Sequence, residues 1–297
     1  MSSQIFEAYK HSGKYNAKGP IVAVVAGSLC AFLLGYAYAY LVRVIPLIYV
    51  NFLATMGYGF VFGTLTAMLM QWAQVRNTGI AVLSGLIVGL LAWYFAWSAH
   101  IHAMFDHAPV IILPGDLFGV MGELYKTGSW TLKGATVSGI PLAIVWLVEG
   151  GIILGFSVAI PFGLISDTPF CETSQCWLDE EKKIDTLAPF MDTAQLAALK
   201  AGDLGPLLQA QPRVPDAMQF ARLKIKQSAK APTFCTIRLE NVTLQRDKDG
   251  KLSEKVKELT RNLMLPHSMA GLIAKFEKFG EPAATPAEPP APAAPPA

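Results

Sequence analysis

Charge is scarce in this chain. Only 15% of its 297 residues are Asp, Glu, Lys or Arg, where soluble domains carry about 25%, so a single soluble domain is excluded. The charges present nearly cancel, at a net +2. With no basic stripe to neutralise phosphates, nucleic acid is excluded as a partner. Catalytic signatures are lacking as well: G-x-S-x-G, H-E-x-x-H, G-x-G-x-x-G, C-x-x-C and the P-loop are all absent. With them go the nucleophile elbow, metal pair, dinucleotide cradle, redox couple and phosphate cradle that they encode. An enzyme is therefore not the expected class.

Apolar residues are abundant, at 53% and a mean hydropathy of +0.39. They concentrate in residues 1–166, which hold 7 basic and 5 acidic side chains, leaving 17 of each for residues 167–297. Four runs, Ile21 to Leu41, Ile45 to Met70, Gly79 to Ser98 and Pro141 to Ile165, contain no Lys or Arg. Each is near or above the roughly 20 residues that cross a bilayer. The expected fold is a membrane all-α bundle of four transmembrane helices over 21–165, then a small cytosolic α+β domain over 166–280. Residues 1–20 are expected to be a cytosolic segment. The tail, 281–297, has seven prolines and seven alanines and reads as disordered and polyproline-like. The polar N-terminus is longer than a signal-peptide n-region and no A-x-A site follows the first run, so that run reads as a retained anchor.

Basic residues resist translocation, and their distribution sets orientation. With both termini inside, Lys10, Lys14, Lys18, Arg76, Lys182 and Lys183 lie on inner flanks, against Arg43, Lys126 and Lys133 outside. The expected setting is the cytoplasmic membrane of a bacterium with both termini cytoplasmic. Each span carries small residues four apart: Ala23, Gly27, Ala31, Gly35, Ala39; Thr55, Gly59, Gly63, Ala67; Ala81, Gly85, Gly89; and Gly151, Gly155, Ala159, Gly163. Such stripes let helices approach closely, which predicts a tight bundle and leaves self-association open.

Residues 99–140 form an interfacial segment on the outer side. Within it Asp116 to Lys126 places Leu117, Val120, Met121 and Leu124 on one helical face, with Asp116 as cap and Gly128 as stop. His100, His102, Asp106 and His107 follow the third span directly. Imidazole and carboxylate together suit a transition metal, and an H-x-H pair in extended chain projects both rings to one side. The competing reading is that these are interfacial histidines with an apolar body and a polar tip. Glu149 is the one carboxylate inside a span, and Asn51 lies at comparable depth. An intramembrane carboxylate is a functional candidate by default; the alternative is an interhelical hydrogen bond to Tyr, Asn or backbone that only holds the bundle together.

In the soluble region Cys171, Cys176 and Cys235 offer three thiols, with His267 distant in sequence. They fall short of the knuckle spacing of a structural zinc site, so free thiols are expected in a reducing cytosol, and a Cys171–Cys176 disulfide if the orientation is reversed. Asp192 caps a short helix to Ala201, ended by Gly202. Ala221 to Ile225, Phe234 to Leu244 and Lys251 to Leu265 read as a three-stranded antiparallel meander, turned at Asp247 to Gly250. Leu252, Val256, Leu259 and Leu263 also fit a helix. Calcium binding at that turn is excluded, because Gln245 and Val256 stand where the loop's first and last carboxylates belong.

By elimination the expected function is a membrane-anchored interaction or adaptor protein. The lipid bilayer and a cytosolic protein are its partners, and it has no cofactor. The alternative is a small metal- or proton-coupled transporter, or a metal-dependent membrane protein, using the histidine cluster and Glu149.

Overall fold

The computed structural model describes residues 6–45, 47–105, 109–132, 134–248, 250–266, 273, 275–277 and 279. Asp106, His107, His267 and the 281–297 tail lie outside the described residues. The chain divides into two compact units, one of residues 11–170 and one of residues 1–10 with 171–297.

The first unit is built on four long helices: α1 (Lys18–Val44), α2 (Ile48–Trp72), α3 (Thr78–Met104) and α5 (Gly139–Asp167). All four are long and apolar enough to cross a membrane. Helix α1 packs on α2 and α3, and α5 packs on the same two. Small residues set these approaches. The buried residues of α1 include Ala23, Gly27, Ala31, Gly35 and Ala39, the whole expected stripe. A Cβ on Gly27 would stand 2.8 Å from the Val88 side chain. On Gly85 it would collide with the Ser157 carbonyl oxygen, and on Gly63 with that of Phe156. Helix α5 differs from expectation: a Cβ on Gly151, Gly155 or Gly163 would meet nothing, and the helix buries Leu142, Gly150, Ile153, Ser157, Pro161 and Ile165 instead. The reason is complementarity. The glycines of α2 and α3 already admit the α5 backbone at Ile153, Phe156 and Ser157, whereas a second glycine stripe facing them would leave voids without contacts.

The connection between α3 and α5 holds α4 (Pro114–Thr127) and a hairpin of β1 (Trp130–Leu132) with β2 (Ala135–Val137). Helix α4 starts two residues ahead of Asp116, because Pro114 supplies a ready-made first turn. Gly128, at φ +88°, ends it by donating its N–H to Leu124 O at 2.8 Å. Its apolar face, Leu117, Val120, Met121 and Leu124, packs on Trp97, Ile101 and Trp146. The segment before it is tied to α3, where Ser98 Oγ donates to Ile111 O at 2.6 Å and the Tyr94 hydroxyl to Ile112 O.

The second unit holds β4 (Cys176–Trp177), which pairs with β3 (Phe170–Cys171), then β5 (Glu180–Leu187), α6 (Thr193–Lys200), α7 (Gly205–Leu208), β6 (Gln219–Gln227), β7 (Phe234–Arg246), β8 (Leu252–Glu258) and β9 (Leu263–Pro266). The expected meander is β6-β7-β8, but the sheet has five strands: β5 extends it beyond β6, and β9 lies beside β8 along β7. The charged run Glu-Glu-Lys-Lys concealed β5. Those four residues are exposed, and only Ile184 and Leu187 reach the core, as befits a charged edge strand. The stretch that fitted both strand and helix splits into two strands. Leu252 and Val256 are exposed on β8, whereas Leu259 and Leu263 are buried beyond it.

The N-terminus belongs to this sheet. Phe6 N donates to Gly202 O at 2.8 Å, Tyr9 N to Asn262 O at 2.7 Å and Met264 N to Glu7 O at 3.0 Å, and Phe6 enters the core with Leu199, Leu223, Ile237 and Leu263. The opposite face of the sheet is charged, with Arg222 joined to Asp185 and Glu254, and Lys224 to Glu240.

Candidate functional site

Glu149 lies where four helices converge. The Tyr38 hydroxyl, reaching from α1, donates to Glu149 Oε1, and on its other side it meets Thr55 Oγ1 of α2 at 2.8 Å. Thr55 Oγ1 is also 2.9 Å from Asn51 O. Tyr58, one turn below Thr55, stacks on Tyr38 at 4.7 Å between ring centroids and donates to Ala92 O of α3 at 3.0 Å. Beside the carboxylate, Gly150 makes room for the Trp93 ring, which a Cβ there would approach to 2.6 Å.

A hydroxyl has one hydrogen to give, which fixes how this chain is wired. With Glu149 ionised, Thr55 donates to Tyr38 and Tyr38 to Glu149. With Glu149 protonated, the order reverses and ends on Asn51 O. Such a chain binds helices together by hydrogen bonds alone, and becomes a proton path only where a further group continues it. Tyr38 and Thr55 are 8% and 5% exposed, so the hydrogen bonds form away from bulk solvent, where an unmade bond is expensive. Asn51 Oδ1 and Trp93 Nε1 border the cluster as buried polar atoms without a hydrogen-bond partner among the described residues.

The sequence singled out Glu149 and Asn51 but passed over Tyr38, Thr55 and Tyr58 as site residues. The signal for Tyr38 was its place beside Ala39 and three residues after Gly35, on the buried stripe of α1. Thr55 belonged to the stripe of α2.

His100 and His102 differ from the extended-chain expectation. Helix α3 runs through both, and two residues at 3.6 per turn set them about 200° apart. His100 lies edge-on to Trp97 at 5.7 Å, and His102 edge-on to Tyr36 at 5.3 Å. Asp106 and His107 lie outside the described residues. Among the described residues no group of three or more His, Cys, Asp or Glu side chains gathers in a way that can hold a metal ion.

Cys171 and Cys176 pack in one small cluster with Leu178, Ala231 and Phe234. Cys235 packs against the main core on the other face of the sheet, and burial pushes its thiol above the usual range. Comparison with protein-family models, curated proteins and solved structures finds no match to the chain.

Proposed function

We propose that the chain is a multi-pass membrane protein that holds a soluble interaction domain at the bilayer surface. Support for the membrane comes from the outward faces of the helices, where Leu29, Leu33 and Leu147 are 64%, 68% and 67% exposed. Water penalises such surface and lipid does not. The N-terminal segment pairs with the sheet that follows α5, which supports termini on one side, and the distribution of Lys and Arg supports a cytoplasmic assignment of that side. The interaction reading is carried by β8, exposed at all seven positions. Its outer edge has no strand partner among the described residues. An open edge with apolar Leu252 and Val256 between charges accepts an added strand from a partner protein, while Glu254, Lys255, Lys257 and Glu258 discourage self-aggregation.

The test is a photo-crosslinking residue at Val256, or at exposed Lys200 on α6 as control, in the full chain in membranes. A discrete protein adduct from position 256 alone supports the reading. Equal adducts at both positions, or none at 256, overturn it.

A second reading, a small proton-coupled transporter, is favoured by the Glu149–Tyr38–Thr55 chain. Proton flux into proteoliposomes that is lost in Glu149→Gln would replace the adaptor reading. So would about one metal ion per chain that is lost in a His100→Ala, His102→Ala variant.

A further inference from the structure

Cys171 closes β3 and Cys176 opens β4, with only Glu172 to Gln175 between them. Strands this short, joined by a four-residue turn, set the two cysteines opposite each other. The two cysteines pack in one cluster, as residues that share a face of a hairpin do. Their Cα atoms in such a pair stand about 4.5–5.5 Å apart, inside the roughly 4.4–6.8 Å that a disulfide spans. Both thiols are free. The Ser174 amide donates to Cys171 Sγ at 3.5 Å, fixing that sulfur against the turn. Thr173, Ser174 and Gln175 are exposed while the two cysteines are buried, so exchange proceeds by opening of this surface turn.

The other thiols do not compete. Cys235 follows Phe234 on β7, and successive strand residues point to opposite faces: Phe234 packs on the Cys171–Cys176 cluster, and Cys235 on the main core. Cys30 lies within α1.

We propose that Cys171 and Cys176 are a redox-active pair that closes reversibly into a disulfide across the β3–β4 hairpin, by exchange with a small-molecule or protein disulfide. One cysteine, as thiolate, attacks a sulfur of R–S–S–R, forming a mixed disulfide and releasing RS⁻. The second, as thiolate, attacks the protein sulfur of that mixed disulfide, forming the Cys171–Cys176 bond and releasing the other RS⁻. The two thiol protons end on the two RS⁻ groups, and two electrons pass from the pair to the exchanging disulfide. The closed ring staples the hairpin that begins the soluble unit's second segment, and reduction opens it.

The test equilibrates the full-length, detergent-purified protein across ratios of reduced to oxidised glutathione, quenches with acid, alkylates free thiols and maps the peptides by mass. Cys171 and Cys176 are expected to lose alkylation together, in one two-electron step and with two hydrogens fewer, while Cys235 stays alkylated throughout. In Cys171→Ser, Cys176 is expected to stop at a glutathione adduct. Independent alkylation of the two thiols at every ratio, single adducts as the wild-type end product, or pairing with Cys235 would overturn the proposal.

Discussion

Tyr38 on α1 and Glu149 on α5 are joined by a hydrogen bond, although each of those helices packs chiefly on α2 and α3. The bond therefore ties opposite sides of the bundle through its middle. Tyr38→Phe removes the hydroxyl that connects Glu149 to Thr55 and leaves the carboxyl without that partner. The expected cost is about 1–3 kcal/mol, the penalty for an unmade buried hydrogen bond. Glu149→Gln keeps an acceptor and costs less. In a double-mutant cycle followed by thermal unfolding in detergent, the coupling between the positions is expected at about 0.6–2 kcal/mol. Additive single effects would show that the contact holds nothing.

Glycines of the same spacing carry different weight on different helices. Gly85→Ala drives a methyl into the Ser157 carbonyl of α5 and is expected to cost about 1–3 kcal/mol by overpacking. Gly155→Ala meets open space and is expected to leave the bundle unchanged or slightly stabilised, because Ala favours the helix. The two midpoints, measured side by side in the same detergent, decide the point. Equal losses would place α5 with its glycine stripe inward.

The four long helices were legible because apolar run length is a one-dimensional property that each segment declares alone. The stripe of α1 and the helix after Pro114 were legible by periodicity. What stayed hidden depended on distant partners. Nothing in the segment around Tyr38 announces a glutamate on another helix. The run Glu180 to Lys183 looks solvated because it is solvated, and its strand pairing is supplied by Lys224 to Gln227 of β6. The small residues of α5 gave the wrong face because spacing marks which helix surfaces are flat, not which of them is covered.

Phe6 to Tyr9 are predicted to be structural. Gly202, at φ +86°, leaves no room for a Cβ against the Phe6 carbonyl, so the pairing of the N-terminus and Gly202 depend on each other. Phe6→Ala is expected to destabilise the soluble unit by about 3–5 kcal/mol, as for other buried phenylalanines, and Gly202→Ala to destabilise it as well through strain and displacement. Amide hydrogen exchange should show faster exchange at Asn262 to Leu265 in both variants and no change in α1 to α3. Unchanged protection of that strand would show the N-terminal pairing to be dispensable.

Arg222 gives the sheet unit an acid-sensitive element. Its guanidinium donates to Asp185 at 2.7 and 2.8 Å and to Glu254 at 2.7 and 3.0 Å. These bonds raise its own pKa further, through Asp185 first and then Glu254, so it stays charged at every working pH. The hydrogen bonds from Arg222 hold Glu254 below the ordinary carboxylate value of 4.5. A carboxylate whose pKa is lowered on folding stabilises the folded state above its unfolded value, and the contribution is lost as pH falls through the folded value. Arg222→Gln removes the cause of the shift. The stability gap between wild type and variant should therefore be open near neutral pH and narrow below about 4.5, most of the change falling between that value and the lowered one. Glu254 is 45% exposed, so solvent screening keeps its part within about 1 kcal/mol. Thermal midpoints of both proteins at about pH 7 and about pH 3.5 read it out. A gap that stays constant with pH would mean that Arg222 acts through packing against Phe220, whose ring lies 5.5 Å from its guanidinium carbon, rather than through the carboxylates.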